Sequence, residues 1–534
     1  MSDWNYLDIW RLIAEVQPES PCISHGARTL SWRDFVREVD RWAQRFVADG
    51  VKPGDAVALY LYNCPEYLTA FGGALAAGAV PINVNYRYGV DEVTYLIHNA
   101  DAAAIVAHGT FVDIIASVRE RHEDLRNIYI VDDGLGPYPD WAHDSSQLDV
   151  AEHLPLPLPS GDNIFMIYTG GTTGMPKGVM WRCDDMFAIS NQGGWTKRYD
   201  ENGTLAGIEE QLRERGPGYR FIPACPLMHG TGLIGALRSL QEGGHTVLLE
   251  SRHYDPLEFA RVIEEQKINC TAIVGDPFAR PLLDVAENEG YHFNDLRLVI
   301  SAGAMFSAAQ KERLLAITPD VTIADAFSSS EALGMGTAVT TARSKPETAT
   351  FRIGANVRVI TDDGRDVIPG SGDVGKVMLG GRLPLGYYKD EAKTAATFPT
   401  LDGVRYSCPG DMATVGLDGT LTLLGRGSQC INTGGEKVFP EEVEEVLKRH
   451  PFVLDAVVVA APHERFGQQV VASVELTAGA SFDEQELRDW VKTQLAHYKA
   501  PRHIRVVPSI GRAPNGKMDY ARHIREAVEW VPAS

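Results

Sequence analysis

The chain has no apolar run approaching the roughly 20 residues that a membrane-spanning helix needs, although 44% of its 534 residues are hydrophobic. Cysteine is sparse. The seven residues (Cys22, Cys64, Cys183, Cys225, Cys270, Cys408 and Cys430) are scattered and form no CxxC pair. An odd, dispersed set argues against a disulfide framework or a zinc site and fits reduced thiols in the cytoplasm. Positive charge is also in deficit, with 50 Lys and Arg against 71 Asp and Glu and a formal net charge of −21. General nucleic-acid binding, which needs a basic surface, is therefore not expected. The N-terminus (Met1-Ser-Asp-Trp-Asn-Tyr6) lacks the basic and apolar regions of a secretory signal. Internal repeats are missing too, and a chain this long exceeds one hydrophobic core, so at least two domains are expected.

What the chain does have is Tyr168-Thr-Gly-Gly-Thr-Thr-Gly-Met-Pro-Lys-Gly178, placed after the apolar segment Ile164 to Ile167. Three glycines and three threonines fill the six positions Thr169, Gly170, Gly171, Thr172, Thr173 and Gly174. Glycine lets backbone approach a ligand closely, and successive N–H groups can then converge on phosphate oxygens. The threonine hydroxyls add donors and Lys177 adds a charge, which together point to a nucleotide triphosphate. Two familiar phosphate loops do not fit. Pro176 precedes Lys177 and Gly178 follows it, against the P-loop pattern, and the adjacent Gly170 and Gly171 break the dinucleotide fingerprint. In a net-acidic protein, a site for a polyanion must be locally basic or rich in backbone N–H donors, and this loop is such a device.

Around the loop the chain alternates between α and β texture. Val57–Tyr62 and Val80–Val84 read as strands and Tyr67–Ala77 as a small-residue helix, so the first 160 residues predict a sheet layered with helices. A Pro-rich spacer, Leu154–Ser160, leads into the loop. The polar stretch Asn191–Gly218 reads as exposed loop. From Phe221 to about Lys345 the αβ alternation resumes, and Ile353–Leu424 is strand- and turn-rich, as in a β-barrel-like subdomain. Pro440–Arg449 has acids in its first turn and bases in its last, as a helix dipole favours. With a strand at Asp455–Ala461 and an amphipathic helix at Glu484–Leu495, a small α+β domain is expected at 428–534, after an N-terminal domain at 1–427.

The loop and several later motifs, in the same order, resemble the adenylate-forming enzymes: acyl-CoA synthetases, peptide-synthetase adenylation domains and beetle luciferases. The resemblance covers nearly the whole chain. It implies an α/β fold with a large N-terminal domain and a small, mobile C-terminal one. In that family the turn matching Ser301-Ala-Gly303-Ala304-Met305 lies against adenine, although on its residues alone an ordinary tight turn fits as well. Asp325-Ala326-Phe327-Ser-Ser-Ser330-Glu331 resembles the segment whose aromatic stacks on adenine, whose hydroxyl touches phosphate and whose Glu binds Mg²⁺. Ser328 and Ser330 stand where glycine and threonine are usual. Cys408-Pro-Gly-Asp411 resembles the motif whose carboxylate grips both ribose hydroxyls, an arrangement that suits an acceptor able to take two hydrogen bonds. Arg426 matches an arginine on the same side.

Ser428 occupies the family's hinge position, where Asp or Lys is usual. Asn432-Thr-Gly434-Gly435-Glu-Lys437 matches the loop that approaches the pantetheine of coenzyme A. Arg512-Ala-Pro-Asn-Gly-Lys517 matches the closing motif whose lysine meets the acyl carboxylate and α-phosphate. Pro226-Leu-Met-His229-Gly-Thr-Gly232 matches a gate beside the acyl carboxylate, though a lone His in an apolar run also reads as a core residue. By this resemblance Lys517, Glu331 and His229 are the catalytic candidates, with ATP, Mg²⁺ and coenzyme A as co-substrates or cofactors.

The resemblance implies a two-step ligase. A carboxylate attacks the ATP α-phosphate, giving acyl-AMP and pyrophosphate, and a coenzyme A thiol then displaces AMP. Amino-acid-activating members of the family carry an Asp for the substrate's amine in the region matching Leu227 to Leu233, and none stands there, so the resemblance implies a small-molecule acid with an uncharged, apolar acyl group. The segments Gly170–Trp181 and Asn432–Lys437 look most like actinobacterial acyl-CoA synthetases of fatty-acid and sterol side-chain breakdown. An acyl-AMP ligase that passes the acyl group to a carrier protein, releasing AMP, and a catalytically silent nucleotide-binding role are the alternatives. A homodimer is compatible with this reading.

Overall fold

The computed structural model describes residues 4–122, 125–169, 175–191, 205–433, 436–513 and 516–531. The chain forms two compact units. The first comprises 1–334, 338–346 and 381–398, and the second comprises 335–337, 347–380 and 399–534. Compactness thus groups 347–380 and 399–427 with the C-terminal residues, and no boundary between units falls at the expected 427/428.

Two sheets organise the first unit. One runs in the order Gly386–Tyr387, Lys177–Arg182, Ile164–Thr169, Val80–Asn83, Ala56–Tyr60, Ala102–His108, Asn127–Val131 and His143–Asp144. Its centre is parallel and fully buried, which accounts for continuous apolar runs such as Ala56-Val-Ala-Leu-Tyr60. The other is parallel from Pro21–His25 through His245–Leu248, Arg220–Pro223, Cys270–Ile273 and Leu298–Ala302 to Thr322–Ser329. Helices cover these strands. Ser31 and Asp34 close a capping box on helix Trp32–Ala48, fixing where it starts. Against it packs helix Pro65–Ala76, whose Gly72 and Gly73 let the backbones meet; a Cβ on Gly73 would collide with the Trp42 side chain. Trp10, Phe35, Trp42, Phe46 and Tyr129 form an edge-to-face aromatic core at this layer.

In the second unit, an antiparallel sheet joins Thr350–Ile353, Thr420–Arg426, Asp411–Val415, Gly375–Gly380 and Val404–Ser407, as the turn-rich sequence there predicts. The C-terminal residues add a sheet of Glu436–Val438, Ile431–Thr433, Gly467–Leu476, Val453–His463 and His503–Val506. Helices Pro440–Lys448 and Glu484–Gln494 pack on its apolar side.

One expectation fails. The Asn191–Gly218 loop contains a helix, Leu205–Arg215, whose Ile208 and Leu212 are buried. These two lie four apart on one helical face, a signal that the surrounding charge hides.

Candidate active site

The glycine-rich segment connects a β-hairpin. Strands Ile164–Thr169 and Lys177–Arg182 pair antiparallel, with Thr169 opposite Lys177. A strand, not a helix, follows the loop, which separates it from the P-loop architecture. Gly170, Gly171, Thr172, Thr173 and Gly174 lie outside the described residues, as do Gly434 and Gly435. Thr169 closes the first strand, half-buried. Lys177 opens the second, and its ammonium pairs with Asp390, the N-cap of helix Glu391–Thr397. That ammonium holds the Asp390 carboxyl below its ordinary range.

Two further segments meet this hairpin. Trp181, fully buried, donates from Nε1 to the Ser330 carbonyl at 2.9 Å. Tyr387 pairs with Val179 on the edge of the same sheet and donates its hydroxyl to Glu331 Oε1 at 2.8 Å. The carboxylate of Glu331 is therefore held beside the hairpin. Strands Leu298–Ala302 and Thr322–Ser329 run in parallel register, Ser301 beside Asp325 and Ala302 beside Ala326. The turn through Gly303 and Ala304 and the segment from Phe327 to Glu331 consequently leave the sheet side by side. Phe327 is 6% exposed.

The turn is itself clamped. Gly275 has φ +56 and lies so close to the Met305 carbonyl that a Cβ would clash with it. The Asp276 amide donates to Met305 O at 3.0 Å, and Ser307 N donates to Asp276 Oδ1 at 2.8 Å.

His229 is half-buried at the N-cap of helix Gly230–Gln241. A Cβ on Gly230 would stand 3.9 Å from Ser330 Oγ, and one on Gly303 would stand 3.8 Å from Thr231 Oγ1. The structure thus brings His229, Gly303, Ala304, Phe327, Ser330, Glu331 and the hairpin into one neighbourhood.

Asp325 is bound from helix Ala308–Ile317. Its carboxylate is buried and takes Lys311 Nζ at 3.0 Å. Burial raises its pKa, with Lys311 opposing.

In the second unit Asp411 and Arg426 are register partners on adjacent strands, with Nε 3.1 Å from Oδ1. Arg426 also donates from Nη1 to Pro409 O at 3.1 Å. Ser428 lies exposed in the short turn Gly427–Gln429 that follows. Just before it, Gly425 (φ +124) leaves no room for a Cβ against the buried Glu441 carboxyl, which burial and then Glu444 push up to about 8. Lys517 is exposed at the end of a loop tied by Ala513 N→Lys517 O at 2.9 Å and Gly516 N→Ala513 O at 2.8 Å. Arg512 anchors that loop through a two-pronged pair with Asp455, at 2.6 and 2.8 Å. Burial pushes the Asp455 carboxyl up, but Arg512 outweighs it and the net shift is downward.

Among the described residues no group of three or more His, Cys, Asp or Glu forms a preassembled metal cage, and no helix is long and apolar enough to cross a membrane. Sequence reasoning passed over Asn83, Trp181, Lys311, Tyr387, Asp390 and Asp455. Two of these carry a signal. Asn83 interrupts an apolar strand, and Lys311 sits three residues before the buried Leu314 on one helical face.

This arrangement, a glycine-rich hairpin beside a small-residue turn and an aromatic–serine–glutamate strand end, defines a nucleotide-binding enzyme of the adenylate-forming class. Residues 10–388 match the family described as AMP-binding enzyme, and residues 442–517 match AMP-binding enzyme C-terminal domain. The chain belongs to the AMP-binding enzyme family.

A relative from Mycolicibacterium smegmatis, named medium/long-chain-fatty-acid–CoA/3-oxocholest-4-en-26-oate–CoA ligase, is 38% identical over 99% of this chain and 97% of its own. The Rhodococcus rhodochrous 3-oxocholest-4-en-26-oate–CoA ligase is 36% identical over 97% and 94%. Among solved structures, an anthranilate CoA ligase bound to anthranoyl-AMP shares the fold at TM-score 0.83 with 21% identity, covering 99% of this chain and 98% of that one.

Proposed function

We propose that the protein is an ATP-dependent acyl-CoA ligase that converts an apolar carboxylic acid to its coenzyme A thioester through acyl-AMP, releasing pyrophosphate and AMP. The observation that carries this reading is the convergence of the hairpin strands, the Gly303 turn and the Phe327–Glu331 segment in a chain that matches CoA ligases over nearly its whole length. Backbone amides and Lys177 cradle the triphosphate, with Lys177 exchanging Asp390 for phosphate. The small residues Gly303 and Ala304 leave space for a flat base against Phe327. Asp411 accepts from the ribose hydroxyls while Arg426 holds it in place. A lone carboxylate beside phosphate oxygens suits Mg²⁺, which takes one or two protein carboxylates and completes its shell with phosphate and water. Glu331, fixed by Tyr387, fits that role, and the ion would supply neutralising charge at the phosphates.

Lys517 approaches the acyl carboxylate and α-phosphate during adenylation, where fixed positive charge stabilises the developing pentavalent phosphorus. The small domain then turns about Ser428, withdrawing Lys517 and presenting the Gly434–Gly435 loop to the pantetheine, a hinge motion of known type. Splitting the reaction at an activated intermediate makes two easier steps. The relatives' names favour a medium- or long-chain fatty acid or a sterol side-chain acid. The buried, uncharged Leu227 and Leu233 flanking His229 agree with an apolar acyl group. All seven cysteines are unpaired, in keeping with work in the cytoplasm. Product analysis with fatty and steroid acids, with and without coenzyme A, tests the reading. Acyl-AMP that never passes to coenzyme A would assign the protein to carrier loading instead.

A further inference from the structure

Lys311 occupies an unusual place. It lies on helix Ala308–Ile317 with its side chain 0% exposed, its ammonium 3.0 Å from Asp325 and 5.6 Å from the centre of the Phe306 ring. Taking an ammonium and a carboxylate out of water is expensive, and an apolar pair of similar volume usually serves stability as well or better. Stability therefore does not account for these charges.

Their location does. Asp325 stands beside Ser301 in the parallel register, two residues before Phe327 and six before Glu331. The helix carrying Lys311 begins directly after the clamped turn at Gly303–Ser307. The ion pair thus ties the element leaving that turn to the strand delivering Phe327, Ser330 and Glu331. Gly275 and Asp276 pin the turn from its other side.

We propose that Lys311 is a positioning residue of the nucleotide site: through Asp325 it sets the spacing between the Gly303 turn and the Phe327–Glu331 segment, and so governs ATP affinity without touching ATP. The inference rests on the acyl-CoA ligase reading above. Outer residues that orient metal ligands typically cost roughly 10–100-fold in affinity or activity when lost, and an effect of that order is expected here.

The test compares Lys311→Met with the doubly neutral Lys311→Met/Asp325→Asn in the full chain, reading melting temperature, ATP binding by calorimetry, and KM for ATP and for the acid. The single variant leaves a buried carboxylate unpaired and melts lower. The double variant regains most of the melting temperature. Positioning by the ion pair predicts that its ATP affinity stays down by about tenfold or more, with KM for the acid unchanged. A double variant with wild-type ATP affinity overturns the proposal, because affinity would then merely follow stability. If Lys311→Met does not fold, the double variant alone decides. Wild-type protein that binds no ATP would sink the ligase reading itself, which is a separate outcome.

Discussion

Asn83 and Met228 are 145 residues apart, yet the Asn83 side-chain amide donates to the Met228 carbonyl at 2.7 Å. The same amide bonds both backbone groups of Tyr168, donating to its carbonyl at 3.0 Å and accepting from its N–H at 2.6 Å. One buried side chain thereby ties the strand entering the glycine-rich loop to the segment carrying His229. Asn83→Ala would leave three buried backbone groups unsatisfied, at about 1–3 kcal/mol each. The variant should melt several degrees lower and lose at least tenfold in ATP–pyrophosphate exchange. Unchanged exchange would show that the clamp does not serve the site.

Lys517→Ala should slow adenylation by about 10²–10³-fold, as expected for one preorganised electrostatic contact. Thioester formation from supplied acyl-AMP should be spared. Equal damage to both half-reactions, measured by rapid quench, would refute alternation about Ser428.

Glu331→Gln keeps a group that can accept from Tyr387 but removes the charge. A titration of activity against Mg²⁺ should shift to higher concentration. A superimposable titration would take Glu331 out of the metal's reach.

Acid should weaken the first unit through two imidazoles, the buried His108 and the half-buried His245. Burial lowers His108 and His245 to about 4 from 6.5. His108 accepts from Tyr62 N at 3.2 Å, and His245 lies 2.8 Å from Ser24 Oγ. Both folded values lie below the unfolded one, so this stability is present above pH 6.5 and is lost as pH falls toward 4, by up to roughly 3 kcal/mol each. Denaturant melts of His108→Gln and His245→Gln should show a shallower fall over that window. Curves parallel to wild type would contradict the assignment.

Much of this site is legible in the sequence because its parts are local. The strand before the loop reads from Ile164 to Ile167, the turn from its glycine, and the helix at 440 from Pro440 and its charge order. The supports are not local. Lys177 and Asp390, Trp181 and Ser330, and Tyr387 and Glu331 are separated by 56 to 213 residues. No periodicity encodes such pairs, which appear only when the sheet brings its edges together. The helix at 205–215 escapes for the opposite reason. Its signal is local, but it rests on Ile208 and Leu212 within a run of charge.

The most direct measurement is acid-dependent ATP–pyrophosphate exchange by the purified chain without coenzyme A, using fatty acids of graded length and 3-oxocholest-4-en-26-oate. The account predicts exchange with at least one of these acids, and conversion to the thioester with AMP release once coenzyme A is added. Absence of exchange with every acid, in protein that is folded and supplied with Mg²⁺, would contradict it.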